Sequence, residues 1–216
     1  MKGPQRTGIL GGTFDPIHLG HVKAAEVARR TLDLDVVLIL PSLTPPHRTD
    51  QPRASAFHRF AMAALAVSGL DGLVISDLEL RAEGPSYTSL TLQHLHRSGT
   101  AAGQLYFILG SDAFVEVKTW HDYPALLDLC HFLVISRPGT PVDRLPIQLP
   151  DLAERMRPVR DAGQPSATSL IFLVNADTPD VSSTEVRRQI AAGESIEEMV
   201  GAPVADHIRR HRLYVA

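Results

Sequence analysis

The residues with the clearest chemical potential lie between Gly11 and His21, in the stretch Gly-Gly-Thr-Phe-Asp-Pro-Ile-His-Leu-Gly-His. The imidazoles of His18 and His21 stand three residues apart, which places them on one face if a helix begins here. The paired glycines, Gly11 and Gly12, let the backbone approach a ligand closely because they have no Cβ atom. A helix N-terminus adds unpaired N–H groups and a positive dipole end. Together these groups predict a polyphosphate-binding site.

The sequence around this stretch predicts the turn between a strand and a helix. A short apolar run, 8–10, precedes the stretch, and a segment of helical composition, 22–31, follows it. In α/β sheets, ligands bind outside the carboxyl ends of the strands, where the strand order reverses. Two histidines could also hold a metal, but no third ligand is evident nearby and metal sites usually take three or four. We therefore expect phosphate, and no metal held by the protein, at this turn.

The composition is that of a soluble globular protein. Of its 216 residues, 44% are hydrophobic and 21% are charged, and the formal net charge is -3. There is no basic excess to favour general nucleic-acid binding, and no apolar run approaches the ~20 residues of a membrane span. The single cysteine, Cys130, excludes an internal disulfide and fits a reducing compartment. We expect one cytoplasmic domain, 1–216, with no nucleic-acid or membrane partner. Whether it is a monomer or a homo-oligomer stays open.

Apolar runs alternate with segments of helical composition, which predicts a parallel sheet covered by helices. Strands are predicted at 8–10, 36–40, 73–76, 105–109, 131–136 and 170–174, and helices at 22–31, 53–68, 88–97, after Ser182 or Ser183, and at 203–212. The polar, proline-containing segment 140–169 predicts little regular structure apart from a short helix near 152–157. The fold class expected is a Rossmann-like, doubly wound α/β sheet with a small helical C-terminal part, 181–216.

Further candidate residues follow two of the predicted strands. His47 and Arg48 lie on a proline-restricted loop at the same sheet edge, where they either contact phosphate or are simply solvated. Gly110 and Asp112 form a small-residue turn after the strand at 105–109. The carboxylate of Asp112 either accepts hydrogen bonds from ribose hydroxyls or caps the next helix.

The stretch from Gly11 to His21 resembles the H-x-G-H signature of the nucleotidyltransferase superfamily. Its full form is similar to that of the bacterial nicotinate-nucleotide adenylyltransferases. Pro-Ser-Tyr-Thr at 85–88, Thr-Trp at 119–120 and Val-Ser-Ser-Thr at 181–184, followed by Arg187, match that family as well. The resemblance covers nearly the whole chain and is strongest at the first and last of these motifs.

The resemblance implies an ATP site and three catalytic residues, His18, His21 and Arg187. Ser183 and Thr184 are expected to donate hydrogen bonds to the ATP phosphates, and the planar fork of Arg187 suits the β- and γ-phosphates. The residues expected to contact ATP are Gly11, Gly12, Thr13, Phe14, His18, His21, Gly110, Asp112, Ser183, Thr184 and Arg187.

The resemblance also implies a pocket for the nicotinate mononucleotide. The amide of Tyr87 and the hydroxyl of Thr88, at a helix N-terminus, would hold the ring carboxylate. Trp120 would stack on the pyridine ring, and His121 would add positive character. The residues expected to contact this substrate are His47, Arg48, Tyr87, Thr88, Trp120, His121 and Arg137.

The implied reaction joins ATP and nicotinate mononucleotide into deamido-NAD and releases pyrophosphate, a step of NAD biosynthesis. No nucleophile–base pair is required because the attacking substrate phosphate is already an anion. Since no carboxylate cluster marks a metal site, Mg²⁺ would be held mainly by the ATP phosphates and water. Two alternatives stay open. One is an adenylyltransferase acting on phosphopantetheine, whose family shares Thr-Phe-Asp-Pro, and the other is a nucleotide-binding regulator without catalysis.

Overall fold

A single parallel sheet forms the centre of the computed structural model, which describes residues 5–45, 51–137, 139–161 and 168–215. The sheet has seven strands in the order β3-β2-β1-β4-β5-β7-β6, and every pair of neighbours is parallel. The strands are β1 Thr7–Gly12, β2 Val36–Pro41, β3 Leu73–Ile75, β4 Leu105–Gly110, β5 His131–Ile135, β6 Met156–Pro158 and β7 Ile171–Val174. The Rossmann-like fold class predicted from the sequence is confirmed.

Helices cover both faces of this sheet. The α-helices of the described residues are α1 Leu19–Thr31, α2 Ala56–Val67, α3 Thr88–Arg97, α4 Ser111–Val115, α5 Leu145–Gln148, α6 Ser183–Ala191, α7 Glu197–Val200 and α8 Ala202–Arg210. Short 3₁₀ helices lie at Ala102–Gln104, Val117–Thr119, Ala125–Asp128, Val142–Arg144, Pro150–Arg155 and Val159–Asp161.

Alternate residues of each strand point to opposite faces of the sheet, so both faces need apolar cover. In β1, Ile9 belongs to one buried cluster and Leu10 to the other. In β5, Phe132 and Leu133 divide in the same way. The continuous apolar runs read from the sequence are therefore strands buried on both sides.

The strand order reverses between β1 and β4. The chain first moves outward from β1 to β2 and β3, then returns to pair β4 against the other side of β1. Between such neighbours, the loops leave in opposite directions and open a crevice at the carboxyl ends. The turn after β1, which carries the two histidines, lies at this crevice.

The helices after β7 share a core with the sheet. Val186, Val200 and Ile208 belong to the same buried cluster as Leu10 of β1 and Leu133 of β5. Helix α8 packs against α2, and α7 packs against α1. The description of 181–216 as a separate helical subdomain stays a prediction.

Most predicted elements are present with small shifts at their ends. The helix at 88–97 has the predicted bounds. The first helix begins at Leu19, earlier than the predicted 22, so His21 lies in its first turn. The second helix begins at Ala56, not 53, because Ser55 is the N-cap and its hydroxyl accepts a hydrogen bond from the His58 amide at 3.3 Å.

The described part of 140–169 contains more regular structure than the sequence predicts. This segment contains three 3₁₀ helices, α5 and an edge strand, β6, that pairs with β7. The helix expected near 152–157 is a 3₁₀ helix that ends at Arg155, and 156–158 is strand. Leu145, Leu152 and Met156 are buried against the sheet, so packing stabilises these short elements where the local sequence is weak.

Replacing Gly8 by alanine should destabilise the fold. A Cβ at this position would lie 2.8 Å from Leu34, 2.9 Å from Ile108 and 3.0 Å from Val37, all of them packed in the core. We expect a loss of about 1–2 kcal/mol in the free energy of unfolding, measured by urea denaturation. Gly103→Ala is the matched control because its Cβ would have no neighbour within 4 Å. Equal stability of the two variants would contradict this account of the packing.

Candidate active site

Two histidines meet at the start of α1. His18 is the N-cap of the helix and only 2% exposed, and its ring centroid lies 3.7 Å from that of His21. The His18 amide donates a hydrogen bond to Nδ1 of His21 at 3.3 Å. Because Nδ1 accepts this bond, a neutral His21 carries its proton on Nε2. Nδ1 of His18 is buried and has no hydrogen-bond partner among the described residues.

Gly20 makes room for the ring of His18. A Cβ at Gly20 would lie 3.0 Å from Nδ1 of His18 and 3.2 Å from the carbonyl oxygen of Pro179. The glycine inside the H-x-G-H signature therefore lets the imidazole pack against the helix backbone, and any larger residue would push the ring away.

Both imidazoles are held in the neutral form. Burial, and then the positive charge of Arg137, lowers the pKa of His18 from 6.5 to about 3. Burial, His18 and Arg137 also lower the pKa of His21 well below its usual value. At neutral pH the pair can therefore offer N–H donors to a ligand, while nearby guanidinium groups supply the positive charge.

Helix α6 brings the second motif to the same turn. The Ser182 hydroxyl caps the helix by accepting a hydrogen bond from the Glu185 amide at 3.1 Å. The Ser183 hydroxyl donates to the carbonyl oxygen of Pro16 at 2.8 Å. Nη1 of Arg187 donates to the carbonyl oxygen of Asp15 at 2.6 Å. The structure thus unites two sequence motifs that lie far apart along the chain.

Nη2 of Arg187 also binds within its own helix, where it donates to the Thr184 hydroxyl at 3.1 Å. This bond and the bond to Asp15 orient the guanidinium beside the turn that holds the histidines. The N-termini of α1 and α6 therefore converge there, and this arrangement suits an anion.

A buried carboxylate, Asp15, organises this turn. It is 1% exposed and accepts hydrogen bonds from the amides of Arg53 and Ala54 at 2.9 and 3.0 Å. The hydroxyl of Tyr214 donates to the same carboxylate at 2.8 Å. Nη1 of Arg59, which is also buried, donates to the carbonyl oxygen of Thr13 at 2.6 Å. These hydrogen bonds connect the turn after β1 to the start of α2 and to Tyr214, near the end of the chain.

Sequence reasoning missed these organising residues. Asp15 stands inside the predicted motif, and its burial beside Arg187 was not foreseen. Tyr214 and Arg59 carry no motif, because their contacts depend on how α2 and the chain end fold back onto the turn. Arg59 is a charged residue in a mostly apolar helix, and that is too weak a signal to predict its burial.

A first cavity of about 190 Å³ opens at the crevice between β1 and β4. The predicted site residues that line it are Gly11, His21, Gly110, Asp112 and Arg137. Four of these were expected at ATP. Arg137 was expected at the mononucleotide; it lines this cavity beside residues that were expected at ATP, and its charge lowers the pKa of His18 and His21.

A second cavity of about 330 Å³ lies on the other side of the β1 end. The predicted site residues that line it are Gly11, Gly12, Thr13, Thr88 and Trp120. Gly12 and Thr13, which were expected at ATP, therefore face the same space as the residues expected at nicotinate. Gly11 belongs to both cavities, as do Leu109 and Ala113.

The other predicted residues that the structure describes lie outside the lining of these two cavities. Tyr87 stacks on His121, with ring centroids 4.1 Å apart and planes inclined by 16°. Phe14 is buried and packs edge-on against His21 at 5.0 Å, so it supports that ring from behind. His47 and Arg48 lie outside the described residues.

Glu79 lines the second cavity and was not predicted as a site residue. It is buried, and the Thr91 hydroxyl donates a hydrogen bond to its carboxylate at 2.7 Å. Burial raises the pKa of this carboxyl above its usual value. The bond joins the 77–86 loop to α3, whose N-terminus carries Thr88.

Neither cavity is lined by a cluster of metal ligands. In the described part of the chain, the one group of three side chains close enough to hold an ion is His58, His207 and His211, and these residues line neither cavity. Asp112 is the carboxylate of the first cavity. This donor set fits a Mg²⁺ ion that keeps most of its ligands from phosphate and water.

Comparison with known proteins agrees with this geometry. The cytidylyltransferase-like family model matches residues 9–189. A probable nicotinate-nucleotide adenylyltransferase of Pseudomonas fluorescens is 39% identical over 216 residues, which cover 98% of this chain and 98% of that protein. A protein of the same description from Roseiflexus is 40% identical and covers 96% of each chain.

The chain belongs to the nicotinate-nucleotide adenylyltransferase family. The resemblance inferred from the H-x-G-H signature is therefore confirmed, and the chain is a nucleotidyltransferase. A solved structure of Plasmodium falciparum nicotinic acid mononucleotide adenylyltransferase, complexed with NaAD, is similar in fold. Its TM-score is 0.72 at 20% identity, with 97% of both chains covered. In the described part of this family member, no helix is long and apolar enough to cross a membrane.

Acid should destabilise the protein through His18. The pKa of His18 is about 3 in the folded state and 6.5 in the unfolded state. Below pH 6.5, the unfolded chain therefore binds a proton at this imidazole and the folded chain does not. Stability is therefore retained above pH 6.5 and lost as pH falls. Between pH 8 and pH 5, the free energy of unfolding of the wild type should fall by about 2 kcal/mol more than that of His18→Asn, which lacks the imidazole. Parallel pH curves from urea denaturation would contradict a neutral, buried His18.

Proposed function

We propose that this chain transfers the adenylyl group of ATP to nicotinate mononucleotide, which gives deamido-NAD and pyrophosphate in NAD biosynthesis. One observation carries the proposal: two cavities of different lining share one wall at the crevice beside the H-x-G-H histidines. The full-length similarity to proteins described as nicotinate-nucleotide adenylyltransferases supports it.

The first cavity is the proposed ATP side. His21 and Arg137 line it, and Asp112 is exposed at its edge, where its carboxylate can accept hydrogen bonds from ribose hydroxyls. The phosphates would extend toward the N-termini of α1 and α6. There, the backbone amides of Ser183 and Thr184 and the guanidinium of Arg187 would contact the β- and γ-phosphates, while the Ser183 hydroxyl stays on the carbonyl oxygen of Pro16.

The second cavity is the proposed mononucleotide side. Thr88, at the start of α3, offers a hydroxyl and a helix N-terminus to the ring carboxylate. Trp120 lies beside this space with its ring edge-on to Phe107 at 6.0 Å. The Tyr87–His121 stack stands just outside the lining and would position the Thr88 end of the helix.

The chemistry needs only positioning and charge stabilisation. An oxygen of the substrate phosphate forms a bond to the α-phosphorus of ATP, while the bond from that phosphorus to the β-phosphate oxygen breaks. Pyrophosphate takes the electron pair and leaves in line. Neutral His18 and His21 would donate hydrogen bonds around the α-phosphate, and Arg187 would stabilise the charge that develops on pyrophosphate.

Mg²⁺ is the proposed cofactor and would enter with ATP. Held mainly by the ATP phosphates and water, it would neutralise charge on the nucleotide. Each cavity has a carboxylate in its lining, Asp112 in the first and Glu79 in the second, and the Glu79 carboxylate already accepts a hydrogen bond from Thr91.

We also propose a cytoplasmic location and action without nucleic acid.

The first test is pyrophosphate release with Mg²⁺ and ATP, offered nicotinate mononucleotide, its amide analogue and phosphopantetheine in parallel. We expect turnover with the acid mononucleotide, because Thr88 and its helix N-terminus favour a ring carboxylate. Chromatography should identify deamido-NAD, and a reaction without an acceptor corrects for ATP hydrolysis. Turnover with phosphopantetheine alone would show that the second cavity is not a mononucleotide pocket. ATP binding without any turnover would favour a nucleotide-binding regulator.

A second test compares two neighbouring arginines of α6. Arg187→Ala should lower kcat/KM by about 10²–10³-fold, because it removes the guanidinium placed at the proposed leaving group. Arg188→Ala is the matched control, since Arg188 is exposed and pairs with Glu185 on the helix surface. Steady-state kinetics of both folded variants decides the point. Equal rates for the two would remove Arg187 from the proposed mechanism.

A further inference from the structure

Three histidines meet on the surface where α8 packs against α2. His207 lies in the last turn of α8 and His211 is the C-cap of that helix, four residues later. The His211 amide donates to the carbonyl oxygen of His207 at 3.1 Å, so the two side chains lie on one side of the helix end. His58, in the first turn of α2, faces them. Its ring centroid lies 5.3 Å from that of His207 and 4.9 Å from that of His211. None of the three has a role in the proposed reaction.

The spacing is that of metal ligands. One ring nitrogen from each histidine lies within 4.8 Å of the others. Nδ1 of His58 and Nε2 of His207 are already 3.1 Å apart. Two imidazoles four residues apart on a helix are the pair that zinc-binding H-E-x-x-H helices use. In a tetrahedral site with Zn–N bonds of about 2.0–2.1 Å, the nitrogen atoms are about 3.3 Å apart. Small side-chain rotations therefore suffice to bring the three together.

In the ion-free protein, Nδ1 of His58 and Nε2 of His207 share a hydrogen bond, so one of them carries a proton that must move to the other nitrogen of its ring before both can bind an ion. The nearby Arg209 and Arg210 both donate to the carboxylate of Asp206, which offsets about half of their repulsion of a cation. His58 and His207 are half-buried, and His211 is exposed, so an ion can enter from solvent and keep a water ligand.

We propose that His58, His207 and His211 form a binding site for Zn²⁺ or a similar transition-metal ion, with water as the fourth ligand. Three imidazoles and one water are a known zinc ligand set. Mg²⁺ prefers oxygen ligands, so this site does not compete for the ion that accompanies ATP.

The proposed ion joins two elements that hold the Asp15 turn. Helix α2 follows the amides of Arg53 and Ala54, and three residues after His211 the Tyr214 hydroxyl reaches the same carboxylate. An ion bound between α2 and α8 would stabilise the positions of both groups of donors to the Asp15 carboxylate. Its expected effect is on stability, through preferential binding to the folded state.

The test is calorimetric titration of the full-length, chelator-treated protein with Zn²⁺, and separately with Mg²⁺, in the absence of nucleotide. We expect one Zn²⁺ per chain and no Mg²⁺ binding of comparable strength. His211→Ala and His58→Ala should each weaken Zn²⁺ binding at least tenfold. His94→Ala is the matched control, because His94 is an exposed histidine on α3 outside the cluster, and it should bind as the wild type does.

Thermal unfolding provides a second readout. Zn²⁺ should raise the Tm of the wild type and of His94→Ala, and leave the Tm of His211→Ala unchanged. The Mg²⁺-dependent activity of chelator-treated His211→Ala should equal that of the wild type, which separates this site from the proposed catalytic one. Failure of the wild type to bind Zn²⁺, or undiminished binding by both cluster variants, would overturn the proposal and leave the proposed reaction untouched.

Discussion

A buried carboxylate, that of Asp15, is the constraint on which the rest of the site depends. An ionised carboxylate taken out of water is costly unless hydrogen bonds and nearby positive charge compensate it. Here two backbone amides before α2 and the hydroxyl of Tyr214 satisfy it. The carbonyl oxygen of the same residue accepts the bond from Arg187. The turn after β1 therefore takes its shape only when α2, α6 and the chain end are all in place, so the active-site geometry is a property of the complete fold.

The charge at this site is divided between two kinds of group. Burial keeps His18 and His21 neutral, so they offer hydrogen bonds without adding charge that would change with pH. Positive charge comes from arginines, which stay protonated at any physiological pH. Arg137 enforces this division, because its own charge helps to lower the pKa of both imidazoles. For the proposed reaction of two anionic substrates, the guanidinium groups would supply constant attraction and the imidazoles would supply fixed donors.

The sequence predicted those parts that depend on local pattern. Continuous apolar runs identified most of the strands, and the motif from Gly11 to His21 identified the turn, because both signals lie within a few residues. The elements of 140–169 escaped prediction since short 3₁₀ turns and the edge strand β6 are stabilised by burial of residues such as Leu152 and Met156, not by propensity. The contacts of Tyr214 and Arg59 with the turn could not be predicted for a related reason. Their partners are far away in the sequence, and no motif connects them.

The place of the proposed reaction follows from the wall between the two cavities. Gly11, Leu109 and Ala113 line both, so that wall consists of the ends of β1 and β4 and the first turn of α4. Two of these three residues are glycine and alanine, whose small size lets substrates on either side approach each other. In the proposed reaction, the phosphates would meet where this wall ends, beside His21 and the N-terminus of α1. The reversal of strand order would then separate the two proposed substrates by side-chain chemistry and bring their phosphates to one point.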